Sequence, residues 1–261
     1  MTCKLLLRVM GFCGADDSVH PEHMALISQR FPWIEWGVLF RPDLEGTPRY
    51  ATWNWVERLA QLKRSEFPTM KLAGHLCAYR CQQILDGDAN FAQQLQGLGF
   101  GRIQINATAA NKVNVDPSKF EAYATNIKSC VAAVPHIEFI FQLNDETRGI
   151  WNCISAQAPT QPLPTNLSIL FDASCGLGVL ATEYPIPLDG IPCGYAGGIG
   201  PANLGDVIIA VERAAQGQPV WIDMESSLRV NITDKQTTTP KDVFSLDKCF
   251  QCALSGKHLF D

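Results

Sequence analysis

The sequence has no apolar run that reaches the ~18 residues needed to span a membrane. Its first ten residues lack the long apolar stretch and the cleavage site of a secretion signal, and they read as a first strand. We therefore expect a cytoplasmic protein with no membrane partner. Basic residues are not in excess, since 21 Lys and Arg stand against 26 Asp and Glu. Nucleic-acid binding needs a basic patch, so we expect no nucleic-acid partner.

Internal repeats, low-complexity tracts and linkers are also absent from the 261 residues. Hydrophobic residues make up 46% of the chain and charged residues 18%, which suits a large core rather than disorder. The ten cysteines are scattered, and without an export signal we expect buried thiols rather than disulfides. Cys249 and Cys252 form one C-x-x-C pair without a second, which favours neighbours on a last helix.

Short apolar runs alternate with segments of helical period, which is typical of βα units around a parallel sheet. Eight strands are predicted at residues 4–10, 36–40, 71–77, 102–106, 138–143, 168–172, 193–196 and 220–224. Seven helices are predicted at 21–30, 52–63, 82–96, 117–134, 145–156, 202–216 and 245–254. The pattern predicts an α/β fold, a (β/α)₈ TIM barrel, as a single domain over residues 1–261.

Two segments depart from the alternation of strand and helix. Residues 179–191 are rich in proline and acidic side chains, and we predict a loop where a sixth helix would pack. Residues 231–241 are rich in threonine and other polar residues, and we predict a mobile loop after the eighth strand.

Polar residues or glycines follow the predicted strands, where a barrel builds its active site. These strand-end residues are Cys13, Arg41, His75, Asn106, Asn144, Asp172, the pair Gly197 and Gly198, and Glu225. Asp172 stands out because a carboxylate at the edge of a buried strand is costly unless it is paired or functional. Gly197 and Gly198 let backbone N–H groups approach an anion ahead of a helix N-terminus. A thiol such as Cys13 can act as a base only if its pKa is lowered.

These motifs resemble phosphoribosylanthranilate isomerases, which belong to the ribulose-phosphate-binding barrels, and the likeness runs from the first strand to the last helix. The segments that carry it are Gly11-Phe12-Cys13-Gly14, residues 37–40 and 47–50, Ile103-Gln104-Ile105-Asn106, Leu170-Phe171-Asp172-Ala173, residues 196–204, residues 222–229 and Lys241-Asp242. The resemblance implies an Amadori rearrangement of a phosphorylated aminoaldose to a 1-deoxyketose in tryptophan biosynthesis. It implies a phosphorylated small-molecule substrate, with no cofactor and no metal.

The resemblance also implies roles for individual residues. Asp172 would be the general acid that protonates the sugar ring oxygen, and Cys13 the general base that removes the C2 proton. Arg49 would hold the carboxylate of the substrate as a fork donor. Phosphate would bind at Gly197, Gly198, Ser226 and Ser227. Further candidates for substrate binding are His75, Gln104, Asn106, Asn144, Glu225 and Arg229.

The chain departs from the family pattern at two important positions. Gly11 stands where the family has a lysine, and the phosphate loop Ser-Ser-Gly is replaced by Glu225-Ser226-Ser227. A carboxylate at Glu225 would repel a phosphate dianion unless it is paired. Arg229, four residues further on, is the expected partner; otherwise the protein no longer binds phosphate in the family's way.

Two other functions stay open at this point. One is a divergent barrel enzyme of aldolase or hydrolase type, acting on an uncharged or cationic ligand through His75, Asp172 and Glu225. A metal version of it requires those three side chains to converge. The other is a ligand-binding barrel without activity, which is favoured if Cys13 is buried and inert.

Overall fold

A computed structural model describes residues 6–156, 163–233 and 240–260. Eight parallel strands close into a barrel, in which each strand pairs with the next and β8 pairs with β1. The strands are β1 Leu7–Cys13, β2 Ile34–Phe40, β3 Lys71–Leu76, β4 Arg102–Ile105, β5 Glu138–Leu143, β6 Leu167–Phe171, β7 Cys193–Tyr195 and β8 Val220–Met224. The predicted TIM barrel is confirmed.

Helices surround the barrel at α1 Pro21–Arg30, α2 Trp53–Ser65, α3 Ala78–Leu85, α4 Asn90–Gly97, α5 Phe120–Ala133, α6 Arg148–Ala156, α7 Leu204–Ala215 and α8 Leu246–Gly256. The single helix predicted at 82–96 is wrong, because α3 and α4 are separated there. Gly87 adopts a φ of +86° and Asp88 accepts a hydrogen bond from the Asn90 backbone at 2.9 Å, so a new helix begins. Cys249 and Cys252 are buried neighbours with free thiols on α8, as predicted.

The core has two parts, one outside and one inside the strands. Outside, large side chains such as Trp36, Phe139 and Tyr195 pack under the helices. Inside, Trp221 belongs to a small apolar cluster with Val9, Ile140 and Leu170. Arg102 lies over the Trp221 ring at 4.2 Å and pairs with buried Glu35 at 2.9 Å. This layer packs inside the barrel below the open ends of the strands.

The loop predicted at 179–191 is confirmed, because no helix lies between β6 and β7. The loop predicted at 231–241 is wrong in part. β9 Arg229–Thr233 and β10 Pro240–Phe244 form an antiparallel pair there, while residues 234–239 lie outside the described chain. The Arg229 guanidinium holds this hairpin against the β1 loop, because it pairs with Asp16 and Asp242 at 2.8 Å each. Within the described ranges, no helix is long and apolar enough to cross a bilayer.

Candidate active site

A cavity of about 530 Å³, counting the space at its mouth, opens at the C-terminal ends of the strands. Most of the predicted site residues line it. From β3 to β6 come His75, Gln104, Asn106 and Asp172, and from beyond β7 and β8 come Gly197, Gly198, Glu225 and Ser226. Alternate residues of a barrel strand face inward, which explains why Gln104 and Asn106, two positions apart, both reach this space.

Asp172 accepts four hydrogen bonds at the end of β6. The Ser174 hydroxyl and backbone N–H donate to Oδ1 at 2.6 and 3.1 Å, and the Gln142 amide and Gly176 N–H donate to Oδ2 at 2.6 and 3.0 Å. These four bonds fix the orientation of the Asp172 carboxyl group. Gln142 was not predicted from the sequence. It lies on β5, two residues before the predicted site residue Asn144, and that spacing was a usable signal.

Asp223 is the other carboxyl that the sequence analysis missed, and it also lines the cavity. It makes no hydrogen bond or ion pair with any described residue, although the charge of Arg102 lies near enough to oppose the rise of its pKa. Burial, together with the nearby charges of Glu35 and Glu225, raises the pKa of Asp223 to about 8. The signal was Gly11: it pairs in register with Asp223, and a Cβ at Gly11 would collide with the Asp223 carboxyl. A lysine at position 11 would have put a cation beside it.

Cys13 is the last residue of β1 and is fully buried, outside the lining of the cavity. Its Sγ lies 3.2 Å from Nδ1 of His75. Burial and the neighbouring carboxylates Glu225 and Asp223 raise the pKa of Cys13 well above its ordinary value. Burial also lowers the pKa of His75 to about 3, so the imidazole stays neutral. The pair is thus an uncharged thiol beside an uncharged imidazole.

Arg49 and Glu225 are partners across the mouth of the barrel. Nη1 of Arg49 donates to Oε1 of Glu225 at 2.9 Å and to the Ser226 hydroxyl at 3.3 Å. The expected partner of Glu225, Arg229, instead pairs with Asp16 and Asp242. Despite Arg49, burial raises the pKa of Glu225. Arg49 is outside the lining of the cavity, and its guanidinium is already occupied by a carboxylate of the protein.

Internal contacts engage some of the polar groups in the loops that would bind phosphate. Gly197 and Gly198 have φ values of +106° and +61°, and a Cβ at Gly198 would collide with the Leu180 backbone. The Gly200 N–H donates to the Asn203 side chain at 2.9 Å, and the Ser227 hydroxyl donates to the Ile199 carbonyl. No lysine or arginine is among the described residues that line the cavity, whereas three carboxyl groups are.

Asn144 is also outside this cavity. Its side-chain oxygen accepts hydrogen bonds from the backbone N–H groups of Glu146 and Thr147 at 3.0 and 3.2 Å, so it caps the turn before α6. The metal alternative required His75, Asp172 and Glu225 to converge. In the part of the chain that the structure describes, no three His, Cys, Asp or Glu side chains are placed to hold a metal ion.

No protein-family model and no curated protein sequence matches this chain. Similar solved structures include a GH113 β-1,4-mannanase, at 8% identity over 98% of both chains with a TM-score of 0.49. A dihydrodipicolinate synthase from Agrobacterium tumefaciens is 13% identical over 84% of this chain and 69% of that one, with a TM-score of 0.48. A 2,3-dimethylmalate lyase is 9% identical over 85% and 74%, with a TM-score of 0.42. The likeness concerns the barrel fold alone. These comparisons do not support membership of the isomerase family.

Proposed function

We propose that the protein is a barrel hydrolase that cleaves a small, uncharged, hydroxyl-rich substrate by general acid–base catalysis. The observation that carries the proposal is the placement of Asp223, a carboxyl that lines the cavity without a hydrogen-bond or ion-pair partner among the described residues. An isolated carboxyl in such a place destabilises a fold, so its presence favours a functional role.

Asp223 and Asp172 have the contrasting environments that acid–base catalysis requires. At neutral pH Asp223 holds its proton and can donate it to a leaving oxygen. Asp172 accepts four hydrogen bonds, and it can accept a proton from an attacking water that takes the place of one of these donors. Hydrolysis of an acetal bond uses a carboxylic acid and a carboxylate in these two roles. The pair therefore supplies both proton transfers without the thiol of Cys13.

The lining of the cavity favours an uncharged substrate. Side-chain amides of Gln104, Asn106, Asn111 and Gln142 surround the carboxyl groups. Among the described residues, Oε1 of Gln142 is buried without a donor, and a substrate hydroxyl would satisfy it. A phosphate dianion would meet carboxyl groups and no cation. A Schiff-base aldolase needs a lysine, and the described lining has none.

The other two functions rest on different observations. The Amadori isomerase needs Cys13 as a base and Arg49 for a carboxylate, but the thiol is buried beside His75 and the guanidinium is paired with Glu225. A ligand-binding barrel without activity is favoured by the burial of Cys13. Asp223 favours an enzyme instead, because a carboxyl without an ion-pair partner at the cavity is a group that acid–base catalysis uses.

Turnover assays on neutral and phosphorylated substrates test the proposal. We expect the wild type to hydrolyse one or more members of a panel of uncharged 4-nitrophenyl glycosides, and not to convert phosphoribosylanthranilate. Asp223→Asn and Asp172→Asn should each lower kcat at least ~10²-fold. Asp247→Asn, on the exposed face of α8, is the matched control and should keep full activity. Conversion of phosphoribosylanthranilate, or an active Asp223→Asn enzyme, would show that the proposal is wrong.

A further inference from the structure

A second and larger cavity lies on the outer side of β6, where the chain has no helix between β6 and β7. Its volume is about 1050 Å³, counting the space at its mouth, and α6 and the segment 181–188 enclose it. The aromatic rings of Trp151, Phe171 and Tyr184 line it. In the other βα units a helix covers this position, so the missing helix leaves the space open.

The strand end after β6 separates this second cavity from the catalytic one. Leu170, Asp172 and Ser174 line the catalytic cavity, whereas Phe171 and Ala173 line the second. Successive residues of an extended chain point to opposite sides, which accounts for the alternation. Ala196 of the next strand end borders both spaces. The two cavities are therefore neighbours with different walls.

Two polar groups of the second cavity's lining lack partners. The hydroxyl of Tyr184 and the amide Nδ2 of Asn144 are buried, and no group in the described chain bonds to either. The Asn144 amide cannot be flipped, because its oxygen accepts from two backbone N–H groups. Nδ2 is thus fixed as a hydrogen-bond donor, and the Asn144 side chain is only 4% exposed. Buried polar groups are nearly always satisfied, so an acceptor is missing here.

We propose that the second cavity binds an uncharged aromatic molecule that carries a carbonyl oxygen. The rings of Trp151, Phe171 and Tyr184 cover its apolar surface, and Asn144 Nδ2 and the Tyr184 hydroxyl donate to its carbonyl. Charge at the cavity disfavours an anion, because Arg148 pairs with Asp145 at 3.1 Å while Glu183 adds a further negative charge. This proposal does not rest on the hydrolase proposed above.

Fluorescence titrations with two matched probes test it, namely 2-acetonaphthone and 2-ethylnaphthalene, which differ by one carbonyl group. We expect saturable one-to-one binding of 2-acetonaphthone, with an affinity at least roughly fivefold higher than that for 2-ethylnaphthalene. This difference is on the scale of one hydrogen bond. Tyr184→Phe and Asn144→Asp should each reduce that preference while leaving the binding of 2-ethylnaphthalene nearly unchanged. Asn144→Asp keeps the oxygen that caps the turn before α6.

Filling the cavity provides the decisive control. Ala181→Phe, at a lining position, should weaken both probes, and Ala132→Phe, on the exposed side of α5, should weaken neither. Asp223→Asn should leave probe binding intact, which separates this site from the catalytic one. The proposal is overturned if neither probe binds saturably, if Tyr184→Phe leaves the carbonyl preference unchanged, or if folded Ala181→Phe binds both probes as the wild type does.

Discussion

The thiol of Cys13 lies 3.2 Å from Nδ1 of His75 in the barrel interior, and burial keeps both groups uncharged at neutral pH. Burial raises the pKa of the thiol and lowers that of the imidazole, so neither group moves a proton onto the other. Their contact therefore holds the two strand ends together rather than preparing a base.

Cys13→Ala should therefore lower kcat less than ~10-fold, well short of the ~10²-fold loss expected for a missing general base. The variant should lose about 1–2 kcal/mol of unfolding free energy, because a buried sulfur leaves a small cavity. Steady-state kinetics and urea denaturation measure the two effects. A 10²-fold loss of kcat in a folded variant would restore the base role that the isomerase resemblance implies.

The pKa of Asp223 predicts how activity and stability depend on pH. As a general acid with a pKa of about 8, Asp223 should give a rate that falls as the pH rises through 8. Its folded pKa exceeds the unfolded value of 3.8, so the folded state binds the extra proton between these values. Stability should therefore fall as the pH rises from about 4 to 8.

Asp223→Asn removes this penalty. The variant should be about 1–3 kcal/mol more stable than the wild type at pH 8 and nearly equal to it at pH 3, where both chains are uncharged at this position. Urea denaturation at the two pH values provides the comparison. Equal stabilisation at both would mean that the effect comes from packing and not from proton binding.

Gly11 provides the space that the Asp223 carboxyl occupies. A Cβ at Gly11 would overlap Oδ1 of Asp223, while a Cβ at Gly101 would meet nothing within 4 Å. We expect Gly11→Ala to displace the carboxyl and lower kcat at least ~10-fold, whereas Gly101→Ala should keep it. Kinetics with circular dichroism separate loss of the site from loss of the fold. An active Gly11→Ala enzyme would mean that the position of Asp223 is unimportant.

The Arg49–Glu225 pair predicts that the wild type gains no thermal stability from phosphate or sulfate at 10 mM. Glu225→Gly removes a carboxylate from the cavity and frees the Arg49 guanidinium. That variant should stay folded, because a half-exposed ion pair contributes only ~0–1 kcal/mol, and it should gain stability from phosphate. Differential scanning fluorimetry measures both. Stabilisation of the wild type by phosphosugars at millimolar concentration would restore the phosphate site.

Much of the candidate site was predictable, because strand ends of one barrel meet at one opening. His75, Asn106 and Asp172 were predicted from that rule, Gln104 was predicted from the family resemblance, and all four line one cavity. Asp223 was missed although it precedes Glu225 by two residues and faces the same side of β8. The prediction considered the residue beyond the end of β8, whereas Asp223 is the last inward-facing residue within that strand.

Partners that are distant in the chain could not be predicted. Arg49 and Glu225 are 176 residues apart, and the sequence suggested the nearer Arg229 instead. Whether Cys13 is an exposed base or a buried thiol depends on which strands surround it, and composition carries no such information. The unpartnered groups of Asn144 and Tyr184 are visible only once every neighbour is in place.

The barrel was predictable from the chain alone, because alternating apolar strands and helical segments are a local pattern that each βα unit repeats. The residue types at the strand ends were predictable in the same way. The charge and burial of those residues depend on the folded barrel, since a pKa depends on groups brought together from distant strands. Burial and the nearby charges of Glu35 and Glu225 raise the pKa of Asp223 to about 8, and these neighbours come together only when the barrel closes.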